Sequence, residues 1–143
     1  MKRAIKPLVL FSIGGTLYML LEVIWKQFSN GNIHWSMGVI GGFLFLLIGY
    51  FNNVSWNVPL LWQARLGADI IIFVELIAGY ILNIKLGLGI WDYSNVPLNF
   101  YGQICVPFWV LWHLLSIVAV VLDDYLRYWL WNEPKPHYTL FAW

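Results

Sequence analysis

Charge is scarce in this sequence. Only 10% of its 143 residues are Asp, Glu, Lys or Arg, against about 25% in an ordinary soluble domain. The formal net charge is +1, which leaves no basic footprint for nucleic acid. Cysteine is scarcer still. Cys105 stands alone, so no intrachain disulfide can form and the redox compartment stays open. No pair of His or Cys has the spacing of a metal site, and no cofactor is implied. The phosphate-binding string G-x-x-x-x-G-K is missing, so the chain does not itself hold ATP in a P-loop. G-x-S-x-G and H-E-x-x-H are missing too, which leaves familiar hydrolase chemistry unsupported.

Apolar and aromatic side chains fill the space that charge leaves. Hydrophobic residues make up 61% of the chain and aromatics 19%, with ten Trp. The mean hydropathy is +0.70. A monomer of this size buries only part of its surface on folding, so water is a poor solvent for it and lipid a good one. A water-soluble bundle is the disfavoured alternative. Trp and Tyr also collect at membrane interfaces.

Four apolar runs stand out, at about 8–25, 35–51, 66–82 and 104–122. Each is near the roughly 17–25 residues that cross a hydrocarbon core. The runs are continuous rather than alternating, which predicts helices over barrel strands. The expectation is an all-α membrane protein, a four-transmembrane-helix bundle forming a single domain over 1–143, with a tail over about 132–143. Met1-Lys2-Arg3 could open a signal peptide, but Glu22, Trp25 and Lys26 replace a small-residue cleavage site, so a retained first helix is expected. With four spans, one side holds Lys2, Arg3, Lys6, Arg65, Arg127 and Lys135, and the other Lys26 and Lys85. That bias places both termini in the cytoplasm.

Ser29-Asn30-Gly31-Asn32 reads as a turn between the first two spans. The stretch Asn52–Gln63 places Trp56, Pro59 and Trp62 at an interface, and the longest loop runs from Lys85 to Gln103. The two halves are loosely alike, each a helical hairpin with one carboxylate on its first helix, as in duplicated transporters.

Carboxylates within a span are costly and usually face a bundle interior or an aqueous cavity. Gly14, Tyr18, Glu22 and Lys26 recur every four residues, as do Glu75, Gly79 and Asn83, so each acid shares a helix face with small or polar neighbours. Glu22 either pairs with Lys26 four positions on or lines a site. Glu75 has no base at i±3 or i±4, which favours a functional role over a hydrogen-bonded structural one. His34 and Trp35 open the second span, and Trp91, Asp92 and Tyr93 precede the fourth. They are either interfacial anchors or the rim of an outward cavity suited to a cation. The expected cavity holds Glu22 and Glu75, with Tyr18, Asn83 or Gln103 as hydrogen-bond partners. His113 reads as a hydrogen-bonding core residue. Gly38-x-x-x-Gly42 permits close approach of another helix, and it is the surface on which a homodimer or larger complex is expected. Asp123, Asp124 and Arg127 read as a structural group, in which either acid can pair with Arg127.

Several strings carry a family resemblance: Glu22-Val23-Ile24-Trp25-Lys26, His34-Trp35-Ser36-Met37, Gly41-Gly42, Glu75-Leu76-Ile77-Ala78-Gly79, Trp91-Asp92-Tyr93-Ser94, Gly102-Gln103-Ile104-Cys105 and Asp123-Asp124-Tyr125-Leu126-Arg127-Tyr128. Over nearly its whole length the chain resembles small bacterial membrane proteins labelled ABC transporter permeases. The resemblance implies a multi-pass protein of the bacterial cell membrane, with any ATPase a separate subunit. The function expected is transport of a small cationic solute; the alternatives are a membrane interaction or pore-forming assembly subunit and, third, an intramembrane enzyme.

Overall fold

The computed structural model describes residues 2–29, 31–54 and 58–141. Asn30 of the first turn and Trp56 of the second loop lie outside them. Four helices cover the four apolar runs: α1 (Lys2–Ser29), α2 (Ser36–Val54), α3 (Leu60–Gly79) and α4 (Val106–Trp131). α3 continues into a π-helical turn, Tyr80–Lys85. Three of these helices are long and apolar enough to cross a membrane, while the apolar stretch of α2, Ser36–Phe51, is shorter. The architecture is the expected all-α four-helix bundle.

Glycine sets the spacing of the first pair. A Cβ on Gly15 would lie 2.5 Å from the Gly38 carbonyl oxygen, and one on Gly42 would lie 2.7 Å from that of Phe11. Gly14 and Gly41 stand equally tight against Phe45 and Tyr18. The helices therefore touch backbone to backbone, the geometry that small residues permit in lipid. The Gly38–Gly42 face is consequently occupied by α1 of the same chain, and a second copy would need another surface.

α3 and α4 form the second close pair. Gly67 lets Ser116 approach, and a Cβ there would meet the Ser116 hydroxyl at 2.7 Å. Leu44, Ile48, Leu60, Ala68, Ile71, Trp112 and Val120 make the core where α2, α3 and α4 meet. Pro107 sits in the first turn of α4, where its missing N–H is harmless.

The sequence reading did not anticipate a β-ribbon before α4. Asn99–Phe100 pairs antiparallel with Ile104–Cys105, so α4 begins two residues later than the expected fourth span. Two residue pairs are too few to leave an alternating pattern in the sequence. Gly102 holds a left-handed φ of 67°, and its α-carbon faces Ser94 and Asp92 so closely that a side chain has no room.

The start of α1 meets the end of α4. Lys6 on α1 forms an ion pair with Glu133 and stands 5.6 Å above the Trp131 ring. The tail then folds back over the bundle: the Tyr138 hydroxyl donates to Asp124 at 2.8 Å, and the Leu60 N–H donates to the Thr139 carbonyl at 2.8 Å. Asp123 is fully buried beneath, accepting from the Arg127 Nε at 2.6 Å.

Candidate functional site

The opposite end of the bundle holds the two intramembrane glutamates. α1 presents Tyr18, Glu22 and Lys26 on one face, at the four-residue spacing that stacks side chains. α3 presents Glu75 and Gly79, and Asn83 follows in the π-turn. Glu75 is 3% exposed, and its Oε2 accepts the Trp112 indole N–H at 3.0 Å. Glu22 acts electrostatically on Glu75, and Tyr18 is within electrostatic reach of both acids. The fold thus brings Tyr18, Glu22 and Glu75 into one neighbourhood.

Aromatic rings wall it. Tyr18 stacks on Trp112 at 6.2 Å between centroids, Phe108 lies 6.2 Å from Trp112, and Tyr93 stacks on Phe108 at 4.6 Å. Burial pushes the Tyr93 phenol above its ordinary range, with Glu75 the next contributor. A cavity of about 110 Å³ borders Tyr18 and Trp112 on the side away from the acids, lined by apolar residues such as Leu44, Phe45 and Ile71, and neither glutamate lines it.

Lys26 is the counter-charge. Its ammonium stands 3.3 Å from Glu22 Oε2 and donates to the Ile90 carbonyl at 2.7 Å and the Asn32 carbonyl at 2.5 Å. One buried cation therefore joins an acid of α1 to the α1–α2 loop and to the long loop before α4. A polar knot continues from there. The Asn83 amide donates to the Trp91 carbonyl at 3.0 Å and to Gln103 Oε1 at 2.9 Å, and its oxygen accepts from the Ile90 N–H at 2.7 Å. The Trp91 indole donates to the Gln103 carbonyl at 3.0 Å. A Cβ on Gly79 would collide with the Gln103 side chain, so Gln103 sits one helical turn from Glu75. The π-turn suits this arrangement, because such turns interrupt a helix where side chains must be re-aimed.

Three anticipated residues stand apart. His34 bonds the Ser36 hydroxyl at 2.7 Å, Trp35 is 72% exposed, and the exposed Asp92 accepts from Ser94. The Ser94 hydroxyl and N–H hold the Asp92 carboxyl below its usual range. His113 bonds the Trp109 carbonyl at 2.8 Å, a satisfied local contact. Among the described residues no group of three or more His, Cys, Asp or Glu stands close enough to hold a metal ion.

Sequence reasoning missed Trp112 and Phe108, which supply the donor and much of the wall. Their four-residue spacing, continued by Ser116, was the available signal.

The family model described as "Putative ABC-transporter type IV" matches residues 9–142. The chain belongs to that family. Membership and the apolar helices together make it a membrane-embedded protein of the transporter class. Each residue described at the glutamate site falls within the matched span. No curated protein and no solved structure matches the chain.

Proposed function

We propose that this member of the family is a transport subunit for a small cation, which passes through the aromatic-walled neighbourhood of Glu22 and Glu75. The observation that carries the reading is a buried carboxylate without its own base. Glu22 has Lys26 at 3.3 Å. Glu75, almost wholly buried, has an indole N–H but no cation within ion-pair distance among the described residues. With Glu22 and Lys26 offsetting each other, an ionised Glu75 leaves one net negative charge in a poorly hydrated place. Such a charge is relieved by a proton or by a monovalent cation. The faces of Tyr18, Trp112, Phe108 and Tyr93 add cation–π attraction for a weakly hydrated cation.

Exchange follows from that balance. Glu75 holds a proton while the site is without solute, and an arriving cation displaces it. Lys26, tied to carbonyls of both loops, keeps them closed over the acids until the Glu22 contact loosens. The remaining parts of the proposal are residence in the bacterial cell membrane with cytoplasmic termini, assembly as a homodimer or larger complex, and coupling to an ATPase on a separate chain.

Proteoliposomes loaded with a pH-sensitive dye test the reading. Pulses of potassium, sodium or tetramethylammonium should release protons saturably for at least one of them, and Glu75→Gln should abolish the release while the protein stays folded. Non-saturating leakage that persists in Glu75→Gln points to a pore instead. Proton release unchanged by Glu75→Gln refutes the assigned site.

A further inference from the structure

We infer that segment 90–105 is a lid over the glutamate site, hinged at Gly87 and Gly89 and latched by Asn83. The segment is bound chiefly to itself. The Tyr93 N–H donates to the Gly102 carbonyl at 2.7 Å. Asn99 donates to the Val96 carbonyl at 2.8 Å and accepts from the Gly102 N–H at 3.1 Å. The Trp91 indole closes on the Gln103 carbonyl. With the β-ribbon, these bonds make one stiff unit that moves as a body.

Its ties to the bundle are few. At its base the Val106 N–H bonds the Leu98 carbonyl. Its other hydrogen bonds to the rest of the described residues run to two side chains. Asn83 bonds the Trp91 carbonyl, Gln103 Oε1 and the Ile90 N–H, and Lys26 bonds the Ile90 carbonyl. Asn83 is thus the main latch.

The chain enters the segment through Gly87 and Gly89, whose φ angles are 64° and 57°. A Cβ at either would have nothing within 4 Å, so no packing opposes rotation there. A few such residues can absorb the motion of a whole lid. They follow closely on the π-turn that carries Asn83, which sets latch and hinge side by side.

The underside of the segment reaches the acids. Ile90 and Cys105 are buried, and Tyr93 stacks on Phe108 of α4. Glu75 is within electrostatic reach of both Tyr93 and Cys105. Lifting the segment therefore opens the wall of the site. The use of the lid, to admit a cation, rests on the transport reading above. The motion itself does not.

Cys105 is the chain's single cysteine, so the protein carries its own reporter. A water-soluble maleimide is applied to the full chain in lipid nanodiscs, without solute. Asn83→Ala should speed labelling of Cys105 about tenfold, the effect of losing a few hydrogen bonds of modest net strength. Ala68→Cys in a Cys105→Ser background, at a core position of α3, should label no faster when Asn83→Ala is added. Equal acceleration at both positions would mean general loosening, and no acceleration at Cys105 would mean no latch; either overturns the inference. Hydrogen exchange on the unaltered protein decides the matter if Asn83→Ala fails to fold. The N–H groups of Ile90, Tyr93 and Gln103 should exchange together, and about tenfold or more faster than those of α4 around Ser116. Exchange as slow as in α4 overturns the lid. Neither measurement involves a cation, so a failed proton-release assay removes the gating role and leaves the lid standing.

Discussion

Trp112 and Glu75 are 37 positions apart in sequence and joined by one hydrogen bond of 3.0 Å inside the bundle. The bond links α3 to α4 at the depth where the acid is most enclosed. Trp112→Phe retains most of the ring and removes the donor. Leaving a buried acceptor unmatched costs about 1–3 kcal/mol. Unfolding in mixed micelles should show a loss of that size, and the same substitution should cost much less in a Glu75→Leu background. Equal losses in both backgrounds would make Trp112 a packing residue only.

Lys26→Met should be more damaging. It strands the Glu22 carboxylate and two loop carbonyls, and breaking one side of a buried pair typically costs about 3–5 kcal/mol. Adding Glu22→Leu should recover the part due to the stranded carboxylate, while the Asn32 and Ile90 carbonyls stay without the ammonium. Protease cutting in the loop around Ile90 should rise in Lys26→Met and not in a Lys85→Met control, since Lys85 is exposed.

The α1–α2 crossing makes a third prediction. A side chain at Gly15 meets a carbonyl of α2, which cannot rotate aside. Gly15→Val should therefore fall at or beyond the upper end of the about 1–3 kcal/mol seen for overpacking. Val39→Ala, on an exposed position of α2, should have little effect. Thermal unfolding followed by tryptophan fluorescence compares the two.

Asp92 gives a pH dependence. Its carboxyl is held below the ordinary 3.8 by Ser94, so the folded state binds its proton less readily than the unfolded state. The stabilisation is present above 3.8 and fades as pH falls through the lowered folded value. Ser94→Ala should be less stable than wild type at neutral pH, with the difference shrinking in strong acid. A difference that grows on acidification contradicts the assignment.

The legible and illegible parts of this protein divide by range. Tyr18, Glu22 and Lys26, or Glu75, Gly79 and Asn83, share a face because helical spacing alone puts them there, and that much is visible in the string. The four helices are visible for the same reason, as continuous apolar runs. That Glu75 receives its hydrogen bond from Trp112 depends on how α3 and α4 are registered, and ten tryptophans offer no way to choose. Lys26 shows its pairing with Glu22 at i+4, but its bonds to Asn32 and Ile90 depend on loop closure. His34, Trp35 and Asp92 have the chemistry of a rim, yet local bonds to Ser36 and Ser94 satisfy His34 and Asp92. The role of Gly38 and Gly42 was readable as close approach, while the identity of the approaching helix was not.

The strap that follows α4 ties together parts of the chain that are far apart in sequence. Glu133, Tyr138 and Thr139 fasten α1, α4 and the start of α3. A chain cut after Asn132 would keep all four helices and lose those three ties. Pulse-labelling should show it degraded faster than the uncut chain, and equal lifetimes would show that the strap is dispensable. The short stretch 133–139 therefore acts as a clasp, and what it sets is how readily the helices part rather than whether they form.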